Sequence, residues 1–325
     1  MFGKNISGSK IIRLLYGSDF HGSELVFRKF LAAATQYKAN VLIVGGDVTG
    51  KAMVPMVNQG NGYYVGYLFG QKEEASTQEE LEKAKRTISN VGFYPIILEK
   101  DEADELENDH QKMDARFEEE MRKRVHEWMV LAEDKLAPQN IQLYFMPGND
   151  DLPSIDSEIE GFKFVHNPDM RRCILEGDYE LYGNSNANMT PWACARDLEE
   201  TELEKRLNKL EELIQNPEKS ICVLHVPPLD SGLDQCPELD KDLRIITQGG
   251  QVVMKSAGST AVRAFIEKVQ PLLTLHGHIH ESPGHTRIGR TLCINAGSEY
   301  AEGIMKAAII NLENGKVKGH LLISG

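Results

Sequence analysis

Short apolar runs recur along the chain and alternate with longer segments of helical pattern. Five of these runs end close to Gly, Asp, Asn or His residues, and each has the length of a single strand. They cover residues 11–16, 41–44, 141–146, 221–224 and 272–275. Alternating strands and helices predict an α/β fold.

The interval between residues 50 and 141 is longer than a helix and its connections require, which predicts an insertion. Residues 53–57 and 63–69 flank the turn-forming stretch 58–62, a pattern typical of a hairpin. A helix over 77–90 and a strand over 92–98 are expected to follow.

The last part of this interval, residues 101–136, is highly charged and lacks Pro and Gly. Its apolar positions recur every three to seven residues, which predicts one long amphipathic helix, or two. We expect this stripe to pack on the core rather than to await a partner. It consists of Leu106, Met113, Phe117, Met121, Val125 and Trp128.

The polar fragments that follow the five apolar runs form one ordered set. Ligands of open α/β sheets bind at the carboxyl ends of strands, so we expect the fragments to converge. Together they supply carboxylates, an amide and imidazoles for two metal ions. The fragments are Asp19-Phe20-His21, Gly45-Gly46-Asp47, Gly148-Asn149-Asp150, His225 before Pro227-Pro228, and Gly277-His278-Ile279-His280.

The ligand chemistry narrows the choice of metal. A shell of nitrogen and oxygen atoms without sulfur suits Mn, Fe, Zn, Co or Ni better than Ca or Mg, which prefer oxygen alone. Two divalent cations against Asp19 and Asp47 leave a net positive centre that attracts phosphate. Metals roughly 3.5–4 Å apart activate a shared water and hold the entering and leaving oxygens of an in-line displacement. Hydrolysis of a phosphate ester is the expected reaction.

The ordered set resembles the pattern of the calcineurin-like metallophosphoesterase superfamily: D-x-H, G-D, G-N-[H/D], H and G-H-x-H. The resemblance covers residues 11–50 and 141–325 and lapses between them. It extends to the surroundings of the fragments, namely Val226-Pro227-Pro228, Glu281-Ser282 and Asn295-Ala296-Gly297-Ser298.

This resemblance implies a four-layer α-β-β-α sandwich of two mixed sheets with an inserted α+β cap. Residues 1–50 and 141–325 would form the metallophosphoesterase core, and residues 51–140 the cap. It further implies a phosphatase or phosphodiesterase in which a metal-bridging hydroxide attacks phosphorus, with manganese among the suitable ions. The expected partner is a small phosphate ester.

The same resemblance assigns the metal ligands position by position. Asp47 would bridge the two ions, and the residues expected to carry the reaction are Asp47, Asn149 and Asp150. Two histidines two apart on an extended segment point to the same side, so His278 and His280 would each reach a different ion. The first ion would be held by Asp19, His21 and His280, and the second by Asn149, His225 and His278.

Asp150 departs from the family pattern, which often has a histidine here. A carboxylate beside two metals is a poor general acid because the metals lower its pKa, unless burial opposes them. Three interpretations stay open: Asp150 holds a water, the acid comes from elsewhere, or the substrate has a good leaving group. The neighbouring Asp151 is expected to orient another residue.

Several other residues near the fragments have milder interpretations. His276 is expected to be packed or hydrogen-bonded within a strand, and His285 to lie outside the metal shells, with a supporting role as the alternative. Tyr63, Tyr64 and Tyr67 either enclose a substrate or simply favour strands. Residues 230–250 are expected to form an active-site loop. Asn184, Asn186 and Asn188 are expected to shape a turn, with active-site contact as the alternative.

The net charge of −13 argues against nucleic acid as a partner, because binders of the phosphate backbone usually carry a basic surface. The basic cluster Arg122-Lys123-Arg124 is expected to be a solvated helix face with paired charges. A nuclease of the same superfamily and a non-catalytic scaffold with the same fold are the alternative functions. The sequence leaves the oligomeric state open.

The five cysteines are scattered without C-x-x-C spacing, which argues against a disulfide framework. The apolar run that starts at Ile11 is too short for the core of a signal peptide, and no run has the length needed to span a bilayer. A cytoplasmic location is therefore expected. At the C-terminal end, residues 304–312 and 317–323 flank Glu313-Asn314-Gly315, which predicts a hairpin that closes one sheet.

Overall fold

A computed structural model describes residues 11–325; residues 1–10, the start of the predicted core, lie outside the described residues. Strands form at each of the five predicted apolar runs. They belong to two six-stranded sheets that each mix parallel and antiparallel pairs. In spatial order the first sheet contains β22 (Lys316–Ser324), β21 (Lys306–Glu313), β1 (Ile12–Gly17), β2 (Val41–Gly45), β7 (Gln142–Met146) and β8 (Val165–His166).

The second sheet packs against the first. Side chains alternate across a strand, so each sheet has an inner and an outer face. The inner faces share one core, in which Tyr16 and Ile43 of the first sheet meet Leu181 and Val223 of the second. In spatial order the second sheet contains β19 (Gly284–Ile288), β20 (Thr291–Asn295), β18 (Leu273–His276), β13 (Ser220–Leu224), β10 (Tyr179–Asn184) and β9 (Cys173–Leu175).

Helices cover the outer face of each sheet. On the first sheet, α1 (Glu24–Gln36), α4 (His110–Leu136) and α5 (Asp156–Glu160) bury an apolar cluster with Leu15 and Leu42. On the second, α6 (Glu200–Leu213) and α7 (Thr260–Val269) do the same with Cys222 and Leu224. The predicted four-layer α-β-β-α architecture is confirmed.

The segment that follows β2 builds a smaller sheet with a core of its own. The helix α2 (Gln78–Asn90) packs on it through Leu81 and Ile88, and its first turn is closed by a capping box between Thr77 and Glu80. The strands in spatial order are β5 (Gln71–Ala75), β4 (Tyr64–Leu68), β3 (Met53–Asn58) and β6 (Tyr94–Leu98). The edge strand β5 is absent from the sequence prediction because its sequence, QKEEA, buries only its last residue.

Residues 101–136 form two helices rather than one. A short helix, α3 (Lys100–Asn108), ends where Asp109 turns extended, and the Asp109 side chain accepts the Lys112 N–H at 3.1 Å to start α4. Four residues of the predicted apolar stripe pack on the core, namely Phe117, Met121, Val125 and Trp128. Trp128 is fully buried and stacks on Phe27 with ring centroids 4.1 Å apart. Leu106 and Met113 are half-buried and lie outside that core cluster.

The remaining elements are short. The C-terminal hairpin β21–β22 forms as predicted, with Asn314 and Gly315 at positive φ in its turn, and it closes one edge of the first sheet. Among residues 11–325 no helix combines the length and apolar character needed to cross a membrane. The small paired strands are β11 (Ala187–Asn188) with β12 (Asp197–Leu198), β14 (Gln235–Pro237) with β17 (Met254–Ser256), and β15 (Thr247–Gln248) with β16 (Gln251–Val252).

Candidate metal centre

The loops at the carboxyl ends of five core strands meet at one end of the sandwich. These loops follow β1, β2 and β7 in the first sheet and β13 and β18 in the second. The structure brings together every residue predicted from the sequence to bind metal. They are Asp19, His21, Asp47 and Asn149 from the first sheet, and His225, His278 and His280 from the second.

The first group of ligand atoms comes from Asp19, His21 and His280. The Nε2 atoms of His21 and His280 lie 3.1 Å apart, and His280 Nε2 lies 3.5 Å from Asp19 Oδ1. Asp19 and His21 are fully buried. The arrangement directs two imidazole nitrogens and a carboxylate oxygen at one small volume.

The second group comes from Asp47, His225 and His278, together with Asn149. His225 Nε2 lies 3.2 Å from Asp47 Oδ1 and 3.0 Å from Asn149 Oδ1. His278 Nδ1 lies 2.9 Å from the same Asn149 oxygen. This group therefore offers one carboxylate oxygen, one amide oxygen and two imidazole nitrogens.

Asp47 lies between the two groups. Its Oδ1 faces His225, and its Oδ2 lies 3.9 Å from His21 Nε2. The two oxygens of one carboxylate are thus presented to different groups, an arrangement in which one side chain can bridge them.

Hydrogen bonds outside the cluster turn lone pairs toward it. His225 Nδ1 lies 2.9 Å from Gly45 O, which fixes its proton there and leaves the Nε2 lone pair facing inward. Asn149 donates through Nδ2 to Asp197 Oδ1 at 2.8 Å, so its own oxygen faces inward as well. Lone pairs of His225, Asn149 and Asp47 that converge this closely repel each other unless a cation or a proton lies between them. The residues present therefore fit a metal ion.

The pKa values of the histidines in the two groups also favour a cation at this site. Burial lowers the pKa of His21 well below its ordinary value and that of His278 to about 4, so both imidazoles are neutral. Burial also opposes protonation of His225, but Asp47 and Asp19 outweigh it and raise the pKa of His225 to about 10. The pocket around His225 thus favours a positive charge, which a metal ion supplies in place of the proton.

The backbone at this end of the sandwich is strained. Asp19, His21, Asp47 and His278 all have positive φ, between 41° and 66°, a region that non-glycine residues seldom occupy. Such strain concentrates at functional sites, where the surrounding fold holds it. The 277–280 segment is therefore a turn and not the extended segment expected, although His278 and His280 still reach different groups.

Two glycines let backbone approach the cluster, as the sequence suggested. A Cβ at Gly148 would collide with Asp47 Oδ1, and one at Gly277 would collide with Asp19 Oδ2. Both positions therefore exclude larger residues.

Lys51 is a further charged residue at the site. Its Nζ lies 3.2 Å from Asp150 Oδ2, and Asp150 Oδ2 lies 3.7 Å from His21 Nδ1. Burial and Asp47 raise the pKa of Asp150, while Lys51 opposes the rise. Burial thus opposes the lowering of the Asp150 pKa that bound metals would cause. No motif contains Lys51, so only the folded chain reveals its position.

Asp151 holds two of the loops in register. Its buried carboxylate accepts hydrogen bonds from the Val48 and Thr49 N–H groups, the Thr49 hydroxyl and the Gly148 N–H, at 2.6–3.1 Å. Burial and Asp47 raise the pKa of Asp151 to about 6, so the group is ionised at neutral pH. The orienting role expected for Asp151 is what these contacts describe.

We expect Asp151→Asn to lower the free energy of unfolding by roughly 2–3 kcal/mol, because the amide NH₂ group would face backbone donors. Metal affinity should fall roughly 10–100-fold, since Asp47 and Asn149 would lose their alignment. Urea unfolding and Mn titration measure the two effects. Asp178→Asn is the control, because the Asp178 side chain is 93% exposed. Equal stability of the two variants would contradict this role.

The long helix α4 is tied to the site through Arg124. Its guanidinium is buried and donates to Gly22 O at 2.6 Å and to Ser89 Oγ at 3.1 Å. The expectation of a solvated basic face is therefore wrong for Arg124, whose guanidinium donates to the backbone carbonyl of Gly22, next to His21. Arg122 and Lys123 do face solvent and pair with Glu158 and Glu120.

The cluster opens into a cavity of about 1280 Å³. The predicted active-site loop lines it through Cys236, Leu243 and Ile245, and α4 lines it through Phe117. Tyr63, Tyr64 and Tyr67, all within the described residues, do not line this cavity; Tyr63 instead bonds to Glu74.

The remaining sequence interpretations are settled by local contacts. His276 is buried, with Nδ1 2.7 Å from Leu224 O and Nε2 2.8 Å from Thr274 Oγ1, so it is hydrogen-bonded as expected. His285 packs edge to face on His320, away from the ligand groups. Asn184 donates through Nδ2 to Asn186 O, and Asn186 donates to Arg196 O, whereas Asn188 lines the cavity.

No protein-family model matches the chain, and no curated protein matches it. Solved structures do match. One covers 97% of this chain and 99% of its own, with 15% sequence identity and a TM-score of 0.54. The structure of TT1561 of Thermus thermophilus gives the same coverage, with 14% identity and a TM-score of 0.52. A dimetal phosphatase from Danio rerio covers 96% and 98%, with 8% identity and a TM-score of 0.43, a likeness too weak to carry an argument.

The likeness to the first two structures spans 97% of the chain, and at this identity it concerns the fold alone. The chain shares the fold of these two structures, which in this protein consists of two packed mixed sheets with helices on both outer faces. This is the four-layer architecture that the resemblance of its fragments to the calcineurin-like metallophosphoesterases implied.

Proposed function

We propose that the protein is a phosphohydrolase that uses two divalent metal ions to cleave a phosphomonoester or phosphodiester. The observation that carries the proposal is the position of Asp47, whose two oxygens face two separate groups of ligand atoms. Of the common reactions at paired metal sites, ester hydrolysis at phosphorus fits a centre rich in imidazole that opens into a cavity.

When bound, the ions would activate a water and polarise the phosphoryl oxygens. The chain's own residues would hold the ions and orient the ligand atoms. Asn149 is turned toward the second group by Asp197, and Asp19 is fixed by the His278 N–H, which it accepts at 3.0 Å. Mn, Fe, Zn, Co and Ni suit this mixture of nitrogen and oxygen ligands.

In this proposal, Lys51 takes the role of the histidine that the family pattern often has at the position of Asp150. Burial lowers its pKa, but Asp150 and Asp47 outweigh this and raise it, so Lys51 carries a proton at neutral pH. It lines the cavity and is held by Asp150. Lys51 therefore faces the substrate with a positive charge that steadies, or protonates, the leaving oxygen.

We expect Lys51→Met to lower the turnover of an alkyl phosphate roughly 10–100-fold, because an alkoxide leaving group needs a proton or a cation. Turnover of a nitrophenyl phosphate, whose leaving group is stable as an anion, should change much less. Lys255→Met is the matched control, since Lys255 lies in β17 and lines the same cavity. Equal losses on both substrates would contradict this role for Lys51.

The proposal as a whole is tested by elemental analysis of protein purified without chelators, followed by hydrolysis of a phosphomonoester and a phosphodiester with added Mn. We expect close to two metal ions per chain and turnover of at least one ester. Failure to bind metal after reconstitution would overturn the proposal.

A further inference from the structure

The cavity that contains the candidate metal centre has an apolar side. Its lining combines Asp47, His278 and His280 with a set of hydrocarbon and aromatic side chains. We call these residues the apolar wall. It consists of Phe117, Met121, Met189, Trp192, Leu243 and Ile245.

Most of the apolar wall is open to solvent. Trp192 is 63% exposed, Ile245 54%, and Leu243 and Met189 46% each. Single exposed apolar residues are ordinary, but a group of them around one cavity marks a binding surface.

Three separate parts of the chain build the wall. Phe117 and Met121 come from α4, Met189 and Trp192 from the loop after β11, and the other two from the arm formed by residues 235–256. Their meeting place is fixed by the fold and does not follow from sequence proximity.

The charged residues of the same cavity oppose a second anionic group. Asp114, Glu118 and Glu281 line it beyond the ligand atoms, against the lysines Lys51 and Lys255. This acidic lining would repel a substrate with several phosphates along its length, whereas it would not repel an uncharged hydrocarbon group. Apolar surface beside a single cationic centre matches a molecule with one phosphate and one apolar part.

We propose that the substrate is an amphiphilic phosphate ester, whose phosphate binds at the metal centre and whose long alkyl chain lies on the apolar wall. This inference rests on the proposed function and deepens it by naming the substrate class. The wall and the centre belong to one cavity, so a single molecule spans both.

Binding is measured first, because it does not depend on turnover. The probes are ethyl, hexyl and decyl phosphonate, which cannot be hydrolysed as esters, each used below its critical micelle concentration. The chain has two tryptophans, of which Trp128 is fully buried and Trp192 exposed. A blue shift of tryptophan emission therefore reports the covering of Trp192.

We expect the Kd to fall roughly threefold for each methylene group added, with saturation of the blue shift for decyl phosphonate. Decyltrimethylammonium, which has the chain without the anion, should bind at least roughly tenfold more weakly than decyl phosphonate. Equal Kd values for ethyl and decyl phosphonate would overturn the inference, and so would equal binding of the ammonium compound.

A matched pair of variants tests the location. Ile245→Ser should weaken decyl phosphonate binding roughly tenfold and leave ethyl phosphonate unchanged. Val252→Ser is the control, because Val252 is 46% exposed on the same arm but does not line the cavity. Equal effects of the two variants would mean general adhesion to the surface and would overturn the inference.

Turnover separates this inference from the proposed function. Hydrolysis of ethyl and decyl phosphate at equal kcat/KM would leave the phosphohydrolase intact and overturn the amphiphilic substrate. Chain-length-dependent binding with no hydrolysis of any ester by the metal-loaded protein would overturn the phosphohydrolase and, with it, the substrate named here.

Discussion

Replacing Asp47 with Asn is expected to reduce ester hydrolysis on the order of 10³-fold. The change removes one negative charge and one oxygen from the position that faces both ligand groups, where His225 lies 3.2 Å from Oδ1 and His21 lies 3.9 Å from Oδ2. The amide NH₂ would face an imidazole, and bound metal should fall below two ions per chain. Steady-state kinetics and elemental analysis of one preparation measure both losses.

The backbone should tolerate this change. Asp47 has φ near 50°, a conformation that Asn adopts as readily as Asp, so the loss would come from the site and not from a refolded loop. Asp230→Asn provides the matched control, because Asp230 has φ near 54° and lies outside the ligand groups. If Asp47→Asn kept wild-type turnover, the phosphohydrolase proposal would fail, and a preserved biological role would favour the scaffold alternative.

Removing metal with a chelator is expected to abolish turnover and to lower Tm by roughly 5 °C. The reason is that Asp19, Asp47, His21 and His225 are buried, and that lone pairs of the ligand groups are directed at each other. A bound cation relieves this repulsion only in the folded state. Differential scanning calorimetry before and after dialysis against the chelator measures the shift.

The identity of the added ion provides the control for this experiment. Mn or Zn should restore both Tm and turnover, whereas Ca should restore little of either, because it prefers shells of oxygen alone. Full recovery with Ca would show that the protein binds cations through other carboxylates. An unchanged Tm after complete metal removal would contradict the stabilising role.

The predicted part of the site depended on local sequence. Each ligand fragment follows an apolar run, and the carboxyl ends of parallel strands meet at one edge, so Asp19, Asp47 and Asn149 were expected to converge. The assignment of these residues and of His225 as metal ligands came from the family resemblance. The fold class followed from the same alternation. The 277–280 turn was harder to predict. His278 has a positive φ there, and its N–H donates to Asp19, a residue distant in the sequence.

The missed residues act through tertiary contacts. Lys51, Asp197 and Arg124 lie in a loop, a short strand and a helix, where their residue types are ordinary for the surface. Their importance comes from partners far along the chain: Arg124 donates to Gly22 O across 102 positions, and Asn149 donates to Asp197 across 48. Periodicity and short motifs carry no information about such pairs.

The two ligand groups each combine residues from both sheets, and this has a consequence for synthesis. His21 and His280 are separated by 259 positions, and the first sheet is closed by the hairpin that contains the last strands. A nascent chain therefore leaves the ribosome with Asp19, His21 and Asp47 exposed long before their partners exist. If the proposed metals bind, we expect loading to be a late event, and a stalled or truncated chain that lacks the 277–280 turn to be an inactive, metal-free product.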